Sequence, residues 1–186
     1  MKIIQHRVND LEKLGKIPNK FGCEIDLRNH NADIYVTHDP FKKDGPLLEE
    51  WLRYFNHEFL ILNVKEEGLE DRLFELMAEH SIKDYFILDE TIPYIQKYAL
   101  LGNSRFALRI SEIESDVSAI LLQSWLRSKG NSVDWIWADT FSGAPLAAEV
   151  YKKLQDSGFK ICQVSPELHH LADQSRWQVL VDKFSE

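Results

Sequence analysis

Apolar and polar positions alternate along this chain in two rhythms that follow one another from end to end. Residues 59–65, Phe-Leu-Ile-Leu-Asn-Val-Lys, form a nearly continuous apolar run, the pattern of a strand buried on both faces of a parallel sheet. Shorter strand-like runs occupy 2–5, the first part of 22–40, 34–37, 84–89, 105–110, 133–138 and 160–164. Between them the spacing becomes helical. Asn9 or Asp10 is placed to cap a helix through Leu14, with Gly15 and Pro18 as its stop. Helices are expected over 47–57, 70–80, 92–101, 117–128 and 145–157. In the helix over 117–128, Ile120, Leu121, Trp125 and Leu126 are expected to face the core. Trp177, Leu180, Val181 and Phe184, at i, i+3, i+4 and i+7, predict a terminal helix from about residue 174, with no eighth parallel strand after it.

Strands alternating with helices at this pace predict βαβ units and a mainly parallel sheet in one domain, residues 1–186. Two α/β architectures compete. One is a compact TIM-type (β/α) barrel with its eighth strand missing, and the other is an open doubly wound sheet. No glycine-rich phosphate loop follows the first strand, which counts against a dinucleotide-binding sheet. Nearly every strand ends in groups able to do chemistry: His6, Glu24 with Asp26, Asn63 with Lys65, Asp89, Arg109 with Glu112, Asp139, Ser165 with Glu167. A barrel active site is assembled in this way from many strand ends. Polar loops alone account for Glu112 and Glu167. They do not account for Asn63 and Lys65, set in an apolar run where polar groups are costly to bury.

The stretch 22–40 is the richest in chemistry. Glu24 and Asp26 lie two apart on a strand, so both point to one face while Cys23, Ile25 and Leu27 point to the other. Neighbouring carboxylates repel unless a cation or a shared proton separates them. Carboxylate oxygens are the ligands that Mg²⁺ and Ca²⁺ favour. The strand over 34–37 delivers His38 and Asp39 to its end, where a histidine can shuttle protons. A hairpin whose charges are simply solvated is the other reading of this stretch.

Composition narrows the field. The chain has 186 residues, 44% of them hydrophobic and 28% charged, as in an ordinary soluble domain. Its formal net charge of −8, with basic residues scattered, argues against non-specific binding to nucleic acid or an anionic membrane. No apolar run reaches membrane-spanning length, and the first residues carry no signal-peptide core. Cys23 and Cys162 show no metal or redox spacing, so packed, inert thiols in a cytoplasmic protein are expected.

Four short motifs in order carry a resemblance: His6-Arg7 after the first strand, Glu24-x-Asp26 on the second, His38-Asp39 after a hairpin, and Asn63-Val64-Lys65 on the next. Together they resemble the glycerophosphodiester phosphodiesterases, part of the phospholipase C-like phosphodiesterase barrel group. The runs ending in Asp89, in Arg109 and Glu112, and in Asp139 look like a compact bacterial branch of that group. The resemblance implies a hydrolase that cleaves a small glycerol- or sugar-type phosphodiester with the help of magnesium or calcium. It makes Glu24 and Asp26 metal ligands, with Asn63 in the place of a third, and His6 and His38 the acid/base pair flanking one phosphate. It gives Arg7 and Lys65 the phosphate oxygens or the orientation of the metal carboxylates, and Asp89, Arg109 and Asp139 substrate contacts. Three departures stand out. Val8 replaces the glycine that usually follows His-Arg, Asn63 replaces a carboxylate, and the chain is short for a full barrel.

Individual residues carry further readings. Trp135 and Trp137 share a strand face, and Trp137 can wall a substrate pocket or fill the core. His30, His57 and His80 read as solvated, and His169 and His170 as surface residues. Two other functions compete with hydrolysis. One is a barrel that binds a phosphate ligand without turnover, and the other is a Schiff-base lyase using Lys65. The expected partner is a small-molecule phosphodiester, with neither nucleic acid nor membrane insertion. A second subunit, or the terminal segment itself, is expected to cover any open barrel edges.

Overall fold

The computed structural model describes residues 2–169. The expected terminal helix around Trp177, and His170, lie outside the described residues. In chain order the elements are β1 (Ile4–Gln5), α1 (Leu11–Lys16), β2 (Gly22–His30), β3 (Asp33–Val36), α2 (Leu48–Leu52), β4 (Leu60–Val64), α3 (Glu70–Glu79) and β5 (Tyr85–Leu88). They continue with α4 (Ile92–Leu100), β6 (Ala107–Ile110), α5 (Asp116–Arg127), β7 (Trp135–Ala138), α6 (Ala148–Asp156) and β8 (Lys160–Gln163), before a 3₁₀ turn at Pro166–His169. The alternating α/β rhythm expected from the sequence is therefore present, and its sheets are parallel apart from one hairpin. The chain divides into two compact units, Lys2–Tyr94 and the part from Ile95 on. No helix among the described residues is long and apolar enough to cross a membrane.

In the first unit β1, β2, β4 and β5 lie side by side in that order, all parallel, and β3 folds back antiparallel on β2. Residues 22–27 of β2 are all buried, as is every residue of β4 and β5. Cys23 is among them, and burial pushes its thiol up to about 12, so it is inert as expected. Gly45 is required by a close approach. The chain returns past β3 so tightly that a β-carbon there would collide with the Val36 carbonyl. That return pairs Val36 N–H with Pro46 O at 2.9 Å and anchors the loop that follows His38. Helix α1 is capped by the Asp10 side chain, as its sequence suggests, but runs through Gly15 to Lys16. Helix α2 is only five residues long, and Trp51 on it donates its indole N–H to Val8 O at 3.0 Å.

In the second unit β6, β7 and β8 form a parallel sheet in sequence order. The face that α5 buries differs from the expected one. Ala119, Gln123 and Leu126 are buried, while Leu121 is 64% and Trp125 39% exposed. Gln123 explains the rotation. Its amide donates to Val133 O at 2.8 Å and accepts from Val133 N at 2.9 Å, satisfying the backbone just before β7.

Candidate active site

Glu24 and Asp26 project from one face of β2 and are 1% and 0% exposed. The register sets Asp26 opposite Asn63 on β4, with Lys65 just beyond the strand end. Three of the four carboxylate oxygens accept hydrogen bonds, and the fourth, Asp26 Oδ1, has an ion pair but no hydrogen-bond partner among the described residues. Glu24 Oε1 accepts from Asn63 Nδ2 at 2.9 Å and Oε2 from the Arg7 backbone N–H at 2.7 Å, with His6 Nε2 3.7 Å away. Asp26 Oδ1 faces Lys65 Nζ at 3.1 Å, and Oδ2 accepts from Asn9 Nδ2 at 2.8 Å with Arg7 Nε at 3.9 Å. Lys65 also reaches Asp89 Oδ2 at 3.5 Å.

The hairpin brings His38 to the same cluster. Arg7 Nη2 lies 2.9 Å from His38 Nε2, and His38 Nδ1 lies 3.1 Å from Asp39 Oδ1. Arginine only donates and a carboxylate only accepts, so Nε2 carries the lone pair and Nδ1 the proton. Asp39 is held down to about 2 by its hydrogen bonds from Lys42 and His38. Arg7 and Asp89 both adopt left-handed backbone, φ 52° and 66°. Asn31, Phe41 and Ser81, outside the cluster, do so as well, so the conformation does not by itself mark the site. Val8, at the position of the missing glycine, is fully buried and donates its N–H to Glu24 O at 2.8 Å. Behind the site, burial and the neighbouring Glu70 carboxyl push the Glu90 carboxyl up, which favours its protonated form.

The structure thus brings His6, Arg7, Glu24, Asp26, His38, Asn63, Lys65 and Asp89 into one run of polar contacts within the first unit. Arg109, Trp137 and Asp139 belong to the second unit, where Arg109 pairs with Asp139. Sequence reasoning missed Asn9, which pairs with both the side chain and the N–H of Asp26. It also missed Arg28, whose Nε donates to His38 O at 2.8 Å. Asn9 had a signal: it is a short amide two residues beyond His6-Arg7. His169, read as a surface residue, bonds Asp139 Oδ1 at 2.6 Å. His57, read as solvated, is half-buried and sits 3.0 Å from Ile17 O.

A hard divalent cation is compatible with these groups. Two buried carboxylates adjoin Asn63 Oδ1, a buried amide oxygen with no hydrogen-bond partner among the described residues. Among the described residues no three His, Cys, Asp or Glu side chains converge as a metal site. The Asn63 amide now presents nitrogen to Glu24, and a cation between the two would require the oxygen to turn inward.

Glu24 and His6 shift in opposite senses. Desolvation first, then Asp26, raises Glu24 to about 7, against weaker lowering by Arg7, Asn63 and Lys65. Desolvation first, then Arg7, lowers His6 to about 4. A raised acid stabilises the fold at low pH, and that contribution is lost as pH climbs from 4.5 to about 7. A lowered histidine stabilises it above 6.5, and that contribution is lost as pH falls to about 4. Over the shared window the two slopes oppose each other. Glu24→Gln removes one of them, so the stability of the variant relative to the parent should rise between pH 4.5 and about 7. The relative rise should be roughly 3 kcal/mol, the linkage of one buried carboxyl over that interval. Urea unfolding of both proteins across that range measures it; a constant difference between them would show that Glu24 is not raised.

With this geometry in view, comparison with known proteins bears on the fold. No family model and no curated protein matches this chain. A crystal structure at 2.05 Å of a protein from Agrobacterium tumefaciens, assigned as a glycerophosphoryl diester phosphodiesterase, superposes with a TM-score of 0.64. The match covers 86% of this chain and 83% of that one at 12% identity. This chain shares that fold.

Proposed function

We propose that this chain is a phosphodiester hydrolase acting on a small glycerol- or sugar-type substrate, on a compact TIM-type (β/α) scaffold and in the cytoplasm. One observation carries the reading. Two histidines, two buried carboxylates and two cationic side chains meet in one run of contacts at the ends of parallel strands. Arg7 and Lys65 are the groups for phosphate oxygens, and Glu24, Asp26 and Asn63 would hold a magnesium or calcium ion. Such an ion supplies charge neutralisation at the phosphoryl group. His6 and His38 divide the proton transfers, one taking the proton of the attacking hydroxyl and one protonating the leaving oxygen. Asp39 accepts from His38 Nδ1 and holds the imidazole in the orientation that proton transfer needs.

Electrostatics adds an expectation. Glu24, Asp26 and Asp89 contribute at most −3 and Lys65 and Arg7 contribute +2, so the cluster is within one charge of neutral before any ion arrives. A metal should bind weakly alone and more tightly once a phosphate is present. Asn63→Glu, which restores a third carboxylate, should tighten Mg²⁺ or Ca²⁺ binding in titration calorimetry; unchanged affinity would remove Asn63 from the ligand set. A panel of phosphodiesters assayed with Mg²⁺, Ca²⁺ and Mn²⁺ tests the whole reading. Chelation and Glu24→Ala should each abolish turnover, and full activity after exhaustive chelation would end the metal assignment. The engaged carboxylates favour one second reading, a phosphate-binding protein without turnover, which failure of every substrate–metal pair would support. Lys65 stands between Asp26 and Asp89 as a counter-ion, not as a nucleophilic amine, so the lyase reading ranks last.

A further inference from the structure

The turn that carries His6 and Arg7 is held by little of the sheet. Strand β1 is two residues long, and its parallel ladder ends with Gln5 opposite Cys23. Arg7 then takes left-handed backbone, φ 52°, which a side chain disfavours, so neighbouring groups must hold it there. From the His6 carbonyl to the Val8 carbonyl every backbone polar group has a partner. The Arg7 N–H donates to Glu24 Oε2 at 2.7 Å and the Val8 N–H to Glu24 O at 2.8 Å. Trp51 donates to Val8 O at 3.0 Å. The two carbonyls that remain, of His6 and Arg7, both accept from one ammonium, Lys13 Nζ, at 2.7 Å each. Those are the lengths of charge-assisted hydrogen bonds.

Lys13 stands where a helix would not choose a cation. Asp10 caps α1 and accepts from the Lys13 N–H at 2.6 Å, so Lys13 is the third residue of the first turn. Helix N-termini favour negative side chains, and the capping-box pattern places Glu or Gln at this position. A positive charge there works against the unpaired N–H groups around it. The same placement gives the side chain its reach. Asp10 pins the Lys13 backbone, and the half-buried stem crosses back to the two carbonyls. Lys16 on the same helix pairs with Glu12, as a surface lysine does, whereas Lys13 is turned to backbone oxygens.

We propose that Lys13 is a positioning residue, a clamp on the carbonyls of His6 and Arg7 that aims the His6 imidazole and the Arg7 guanidinium at one point beside Glu24 and Asp26. The two side chains leave the turn from adjacent residues, so rotation of the peptide between them moves both. Their own contacts are too long to hold the turn: His6 Nε2 lies 3.7 Å from Glu24, and Arg7 Nε 3.9 Å from Asp26. A misplacement of about 1 Å at a reacting group can cost about 10²-fold in rate. That the two groups serve a phosphate rests on the phosphodiester reading; the clamp itself does not.

Lys13→Met removes the ammonium, keeps most of the stem and takes an adverse charge from the start of α1, so α1 itself should not suffer. In ¹⁵N-labelled full-length protein, hydrogen exchange of the Arg7 and Val8 amides should quicken about tenfold or more, the loss of charged hydrogen bonds that hold the turn. The amide of Leu62, buried in β4, should exchange as in the parent. With a glycerophosphodiester, kcat should fall about tenfold or more at an unchanged urea midpoint. Lys13→Arg, which again offers donors to both carbonyls, should restore most of both losses. The proposal is overturned by Arg7 and Val8 exchange that Lys13→Met leaves unchanged, by a Leu62 amide that quickens equally, or, where the parent turns over substrate, by an unchanged kcat. Exchange quickened at the turn alone, with no phosphodiester turned over by the parent, would uphold the clamp and end the phosphodiester reading, so the two fail separately.

Discussion

His38→Ala should lower phosphodiester turnover by roughly 10²–10⁴-fold, the usual contribution of one acid or base, and leave the unfolding curve where it was. The expectation follows from where the residue sits. Its side chain is 41% exposed, so truncation opens no cavity. The contacts it makes, with Arg7 and Asp39, are partly exposed ones that contribute little to stability. What the imidazole contributes is orientation. Arg7 fixes Nε2, Asp39 fixes Nδ1, and Arg28 holds the backbone carbonyl. Asp39→Asn should therefore give a smaller loss than His38→Ala, because the imidazole keeps Arg7 but loses the carboxylate that fixes Nδ1. Rates measured with a saturating glycerophosphodiester check both variants. Turnover within threefold of the parent in His38→Ala would remove His38 from the chemistry.

Much of this site was legible because strands have a period of two. Glu24 and Asp26 had to share a face, and Asn63 and Lys65 had to break an apolar run for a reason. The adjacent parallel strands then put the two pairs together, Asp26 opposite Asn63. The partners that were missed are those whose meaning lies in distant residues. His169 gains its role from Asp139, thirty positions away. Asn9 gains its role from Asp26 across a loop and a helix. The α5 face was misread for a related reason. Leu121 and Trp125 fit a helical period as well as the buried residues do, whereas Gln123 is buried for hydrogen bonds that hydropathy does not register. Most helix ends shifted by a residue or two, but α2 stops at Leu52, five residues before the expected end, and α6 starts at Ala148, three after the expected start. Gly15 was read as a stop, yet no atom would meet a β-carbon placed there, and the helix continues past it.

Lys65→Met should destabilise the protein by about 3–5 kcal/mol, the usual effect of stripping one partner from a buried ion pair. Asp26 is fully buried, and Lys65 is the cation nearest to it, at 3.1 Å, with Arg7 farther off at 3.9 Å. Asn9 can hydrogen-bond the carboxylate but cannot neutralise it. Methionine fills much the same volume as the lysine stem, so the loss should come from the uncompensated charge and not from packing. A cycle separates the two. Asp26→Asn removes the charge and keeps the shape, and Asn9 can still bond an amide. The double variant Asp26→Asn with Lys65→Met should thus recover most of the stability lost in Lys65→Met alone, a coupling of at least about 2 kcal/mol. Urea denaturation of the four proteins at pH 7 gives the numbers. If Lys65→Met costs under about 1 kcal/mol, water screens the pair as it does on a surface. The neutrality argued for the cluster would then fail, along with the expectation that a metal waits for phosphate.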